Sequence, residues 1–231
     1  MQNILIQNYL VFRNAIGIIG LATPIALILF SGIFTAGDYW VQPSISHYYY
    51  SVMHFLFMFI LILLGSFLIF YKGNGKVRFE DFISTLAGFS AYVVAIFPTK
   101  YEGFNGLPFL EVYQWKNWHN TAHFSAAGIL FVCFAIMCLT TFQKSDHQLH
   151  TPEQEMKKKR RNLIYQICGF IIVASIGLIG LFSFALKDWA EENFSNYVYV
   201  FEWTALWAFG LSWLVKGSEL FKNFAITKMI R

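Results

Sequence analysis

Histidine and a single intramembrane carboxylate carry most of the chemistry that this 231-residue chain can hold. His119 and His123 stand four residues apart, so on a helix they share a face. Ala126 and Ala127 continue that face, which marks it as packed against other helices. His47, Ser51 and His54 follow an i, i+4, i+7 spacing. They share a face if a helix begins near Ser44, directly after Pro43. Of 13 acidic residues, only Glu202 falls within an apolar span. A charge there is costly and marks function by default. With Tyr92, these residues place polar groups from four helices in one layer, about one to two helical turns from one end of the spans.

Several chemistries compete for that layer. A zinc-type site needs three or four imidazole or carboxylate ligands. His119 and His123 supply two, and His54, His47 or Glu202 completes the set. Zinc with an open position would activate water for hydrolysis of a lipid or an amide, with Glu202 as ligand or general base. Haem between His54 and His123 is disfavoured. Six-helix b-type cytochromes carry a second histidine pair on helices three and five, and this chain has none there. Proton-coupled transport would use Glu202 and the histidines as titrating groups. No inverted repeat or discontinuous helix pair accompanies them. The leading expectation is a metal-free pocket lined by Ser44, Ser46, His47, Tyr50, His54, Tyr92, His123 and Glu202, holding a lipid headgroup or small ligand. Enzymatic, transport and purely structural roles stay open beside it. Cys133, Cys138 and Cys168 lie in apolar runs without a CxxC pair, which reads as buried small hydrophobes.

The elements that must position these groups follow from composition. The chain is 57% hydrophobic and 13% charged, with 26 Phe, 7 Trp and 12 Tyr. Soluble domains run near ~45–50% apolar and ~25% charged. Disorder, a charged solenoid and a disulfide-stapled secreted domain are excluded. An all-α, polytopic six-helix membrane bundle is expected. Apolar runs place its spans at about 15–36, 50–71, 82–98, 118–142, 163–186 and 197–215. Pro24 would kink the first, which is too long for a signal-peptide core and reads as a retained helix. Residues 1–14 read as an interfacial amphipathic segment, 15–217 as the transmembrane domain and 218–231 as a cytoplasmic tail.

Charge sets the orientation. Six spans put 14 of the 17 Lys and Arg on the side of both termini, leaving only Lys100, Lys116 and Lys187 on the other. The positive-inside rule then places both termini in the cytoplasm. The basic run at 157–161 is a topology determinant, and no nucleic-acid partner is expected. Tyr39, Trp40, Tyr48, Tyr49, Tyr50, Trp115, Trp118, Trp189, Tyr197, Tyr199 and Trp203 form an aromatic belt at the outer ends. Membrane lipids are therefore the expected partners. Small-xxx-small pairs at Ser84/Gly88 and Ala87/Ala91, and the series Gly169, Ala174, Gly177 and Gly180, mark spans three and five as central. Such faces pack within one chain or between copies, so a homo-oligomer stays open.

Three resemblances bear on function. Pro43-Ser44-Ile45-Ser46-His47 is slightly similar to the PSGH segment of membrane lipid phosphatases, but the Arg-bearing motifs of that family are missing. A Ser/His element followed by HxxxH resembles the ceramidase–adipoQ-receptor hydrolases, which have seven helices and an early Asp that this chain lacks. A third pattern extends across residues 15–217. It comprises Ser44-Ile45-Ser46-His47-Tyr48-Tyr49-Tyr50, Ala95-Ile96-Phe97-Pro98-Thr99, His123-Phe124-Ser125-Ala126-Ala127, and Glu202 with Trp213-Leu214-Val215-Lys216-Gly217. It resembles uncharacterised bacterial six-helix membrane proteins of Frag1/DRAM-like and related domain-of-unknown-function families. The resemblance implies a six-helix fold in a bacterial inner membrane and no established activity. It points to Ser44, Ser46, the Tyr48–Tyr50 triplet, His123 and Glu202, and omits His119.

Overall fold

The computed structural model describes residues 2–34, 40–73, 78–100, 117–144 and 151–229, with side chains for those lying within 11–217. Tyr39, Lys76, Trp115, Lys116, His147 and His150 lie outside the described residues. Among the described residues there is no strand. Helix α1 runs Gln2–Phe34 and contains Pro24. A 3-10 turn at Ile45–Tyr50 follows, then α2 at His54–Phe70 and α3 at Arg78–Ile96. Helix α4, Asn117–Ile136, continues through a π turn at Met137–Thr141. Helix α5, Pro152–Gly180, likewise continues through a π turn at Leu181–Ala185. The short α6 is Lys187–Asn193, and α7 is Tyr197–Met229.

Five segments are long and apolar enough to cross a membrane: Val11–Phe34, Arg78–Ile96, Asn117–Thr141, Pro152–Ala185 and Tyr197–Gly217. Helix α2 has 17 residues. At 1.5 Å per residue it is about 26 Å long, short of a ~30 Å hydrocarbon core. The expectation of a helix starting near Ser44 is corrected here. The Ser51 side chain donates to the Tyr48 carbonyl at 2.9 Å and accepts the Met53 N–H at 3.0 Å. That local bonding ends the 3-10 turn and restarts the chain at His54, so His47 and His54 do not share one helical face. At the N-terminus α1 is unbroken from the amphipathic segment into the span. At the other end α7 continues as helix through the expected tail to Met229.

The six apolar helices form an antiparallel ring in chain order, closed by α7 against α1. Phe134 and Phe209 stack across its centre with centroids 3.6 Å apart. The closing seam has no room for side chains. A Cβ on Gly210 would sit 2.7 Å from the Gly17 carbonyl oxygen, and one on Gly20 would sit 3.1 Å from the Gly210 Cα. The α2/α3 seam is equally tight, with Gly88 against the Gly65 carbonyl and Ser84 donating to the Leu68 carbonyl at 2.5 Å. The small residues of α3 are thus at a packed interface, as expected. Those of α5 are not, apart from Gly169 against Leu139. Gly177 and Gly180 meet nothing within 4 Å, and Ala174 is exposed. Helix α5 is peripheral, and α1 and α7 make the close crossing that the sequence reading assigned to it.

The end of the ring carrying both termini holds a buried ionic cluster. The Arg13 guanidinium donates to the Tyr71 hydroxyl at 3.1 Å, and that hydroxyl donates to Glu80 at 2.6 Å. Lys216 donates to the Phe142 carbonyl at 3.1 Å. All four side chains are buried. Charge counting registers Arg13 and Lys216 only as topology signals and Glu80 only as an acid outside the spans, because it places a side chain on a side without saying what it touches.

Two outcomes are expected. Gly210→Val should destabilise the protein by about 1–3 kcal/mol, while Gly177→Ala should change it by less than about 0.5 kcal/mol. Thermal unfolding in detergent checks the contrast. Glu80→Ala removes the acceptor of the buried Tyr71 hydroxyl and should cost about 1–3 kcal/mol, read in the same assay.

Candidate functional site

The opposite end of the ring is organised around the 3-10 turn. Pro43 precedes it, and Ser44 caps it in extended conformation (φ −150°, ψ 165°), its side chain accepting the His47 N–H at 3.2 Å. The Ser44 hydroxyl also lies 2.5 Å from His47 Nδ1. The first backbone donor of the turn, Ile45 N–H, is taken by Glu202 Oε2 of α7 at 2.7 Å. The next residue, Ser46, meets His123 Nε2 of α4 at 3.0 Å. The turn ends on Tyr50, whose hydroxyl donates to the Thr99 carbonyl after α3. Thr99 and the Lys100 N–H both donate to Asn120 Oδ1 of α4, at 3.3 and 2.8 Å.

His123 is held from both sides. Its Nδ1 lies 2.7 Å from the Phe97 carbonyl oxygen. A carbonyl only accepts, so Nδ1 carries the hydrogen. In the neutral ring Nε2 is then an acceptor, and the Ser46 hydroxyl donates to it. Pro98 explains why that carbonyl is available. The residue before a proline leaves the helical region, so α3 stops at Ile96 and its last carbonyls lack helical partners.

The expected layer is therefore realised in part. Ser44, Ser46, His47, Tyr50, His123 and Glu202 gather on one turn. His123 and Glu202 bond adjacent residues of it. Tyr92 does not join them. Its hydroxyl pairs with Ser66 of α2 at 2.8 Å, and its ring lies against Gly65. His54 Nδ1 turns back to the Tyr49 carbonyl at 2.5 Å, with its ring edge-on to Tyr49. His119 stacks on Phe97 and packs edge-on against Trp118. Among the described residues no three His, Cys, Asp or Glu side chains converge to hold a metal ion. The ligand set His54, His119 and His123 is thus corrected, because each ring is turned to a different backbone or aromatic partner. Thr99 and Asn120 were missed as site residues. Thr99 stood in the quoted Phe97-Pro98-Thr99 motif, whereas Asn120 gave no signal beyond its place between two histidines.

No protein-family model matches the chain, and no curated protein or solved structure matches it. The site must be read from its own geometry.

His47 gives that geometry a pH signature. Burial, and then the neighbouring His123, push its pKa down to about 4 from 6.5. The unfolded chain therefore takes up the proton first as pH falls. Stability contributed by neutral His47 is full above about pH 6.5 and is lost progressively down to about pH 4. The loss is bounded at about 3 kcal/mol. The melting temperature in detergent should drop across that window, and His47→Asn should flatten the drop. An equal slope in the variant would sink the assignment.

Proposed function

We propose that this is a multi-pass membrane protein with both termini in the cytoplasm, whose extracytoplasmic turn, Ile45–Tyr50, forms a binding site for a lipid headgroup or small ligand carrying hydrogen-bond donors. The antiparallel ring supports the topology, since Arg13, Lys72, Arg78, Lys144 and the basic run at 157–161 lie toward one end and Lys100 and Lys187 toward the other. Trp40, Trp118 and Trp189 are exposed around that second end, as expected of an interfacial belt.

Glu202 carries the binding reading. Among the described residues its carboxyl group receives one hydrogen bond, from the Ile45 N–H to Oε2. A carboxylate has about four acceptor positions, and each left unmet in an apolar setting is costly. The remaining oxygen suits a donor from outside the chain, such as a primary ammonium or hydroxyl. Among the described residues the donors for a zinc-dependent hydrolase do not converge.

Phosphatidylethanolamine bears a primary ammonium and phosphatidylcholine has no N–H donor. Native mass spectrometry of protein released from mixed vesicles should show preferential retention of the first. Glu202→Gln keeps an acceptor for Ile45 but converts the other oxygen into a donor. It should weaken that retention about tenfold, as expected for one hydrogen bond to a charged group. Equal retention of the two lipids, or no effect of the substitution, would refute the reading.

A further inference from the structure

We propose that Ser46 is a nucleophile and His123 its general base, so that the site cleaves the acyl ester of a glycerolipid. The proposal rests on the binding reading above and adds a reaction to it. The supporting geometry is the three-part arrangement of activated serines. A hydroxyl donates to one imidazole nitrogen, and the other nitrogen is fixed in its tautomer by an acceptor behind it. Here the Ser46 hydroxyl donates to His123 Nε2 at 3.0 Å, and His123 Nδ1 donates to the Phe97 carbonyl at 2.7 Å.

Each member is held by a different element. Ser46 lies on a turn clamped one residue earlier by Glu202. His123 projects from α4, and the Phe97 carbonyl follows the end of α3. Both members of the pair are buried, His123 at 2% exposure and Ser46 at 9%, so an acyl ester must enter the bundle beside the turn to reach the hydroxyl. The Ser44–His47 pair differs. Ser44 already accepts the His47 N–H as the cap of the turn, so its hydroxyl is committed to local structure.

The depth selects the substrate. Ester linkages of glycerolipids lie at the boundary between headgroup and acyl chain, the level at which tyrosine and tryptophan rings gather. Tyr48 and Tyr49 of the turn pack with Tyr199 and Trp203 of α7 in one cluster. In the first step Ser46 Oγ attacks the ester carbonyl and its proton passes to His123 Nε2. The bond to the glycerol oxygen breaks, and that oxygen leaves as an alcohol with the proton from His123. Water then attacks the acyl-serine, giving its proton to His123, and releases the fatty acid as Ser46 recovers its hydrogen. No metal or redox partner enters the balance.

An alkyl fluorophosphonate tests the pair, since a nucleophilic serine displaces its fluoride and keeps the phosphonyl group. Full-length protein in phosphatidylethanolamine-containing vesicles should gain one adduct, mapped by peptide mass to Ser46. The adduct should be absent in Ser46→Ala and form at least about a hundredfold more slowly in His123→Gln, the lower range for a general base. Melting temperatures of both variants establish that they are folded. If His123→Gln unfolds, the pH profile of labelling in the unmodified protein decides. Labelling that falls as one imidazole protonates supports the proposal, and labelling independent of pH overturns it. No adduct on Ser46, or labelling at the same rate in a folded His123→Gln, also overturns it. Retention of phosphatidylethanolamine by the same preparation separates the two readings. Retained lipid without an adduct leaves the binding site standing and removes the nucleophile. An adduct without retained lipid supports the nucleophile and removes the headgroup preference.

Discussion

A backbone donor or acceptor buried in an apolar surround must find its partner inside the protein. The site of this protein is a consequence of that constraint. Helices satisfy it within themselves, but the chain from Ser44 to Met53 is not a continuous helix. Its backbone groups are met by side chains instead: Ser44 for the His47 N–H, Glu202 for Ile45, Ser51 for Met53 and His54 for the Tyr49 carbonyl. The end of α3 has the same need, met by His123 on Phe97 and Tyr50 on Thr99. The polar residues that looked like a catalytic layer are first of all the partners of an interrupted backbone.

That origin explains why the site combines rigidity with chemistry. Glu202 and His123 come from helices on different parts of the ring yet act on consecutive residues of one turn. The position of Glu202 depends on how α1 and α7 meet, and that seam is set by backbone contact at Gly17, Gly20 and Gly210. A displaced α7 would move Glu202 away from Ile45. The buried Arg13–Tyr71–Glu80 chain ties α1, α2 and α3 together at the other end, so the ring is pinned at both ends by polar contacts and in the middle by aromatic stacking.

Much of this was legible in residue order. Apolar runs located the six apolar helices, five of them long enough to cross a membrane, but not where α1 begins at Gln2, α5 begins at Pro152 or α7 ends at Met229, and small residues correctly flagged α3 as a packed surface. Ser44, Ser46, His47, Tyr50, His123 and Glu202 all stand out by residue type and spacing alone. The failures share one cause. Spacing of i, i+4, i+7 presumes an unbroken helix, and Ser51 interrupts it. HxxxH presumes that two rings on one face turn toward a common point, and His119 instead stacks on Phe97. A run of glycines presumes a neighbour, and α5 has none at Gly177 or Gly180.

Residue types and run lengths by themselves determined that the chain is helical and apolar, how its helices are spaced and which few polar side chains stand among them. They do so because hydrophobicity, helix length and charge balance are local sums over neighbouring residues. Only the tertiary structure decided which polar groups meet. Rotation of each helix about its axis depends on contacts between residues far apart in the chain, whereas the break at residues 51–53 comes from local bonding by Ser51 that run length and spacing do not register. The Ser46–His123–Phe97 alignment spans 77 positions between its first two members and exists only when the ring is closed.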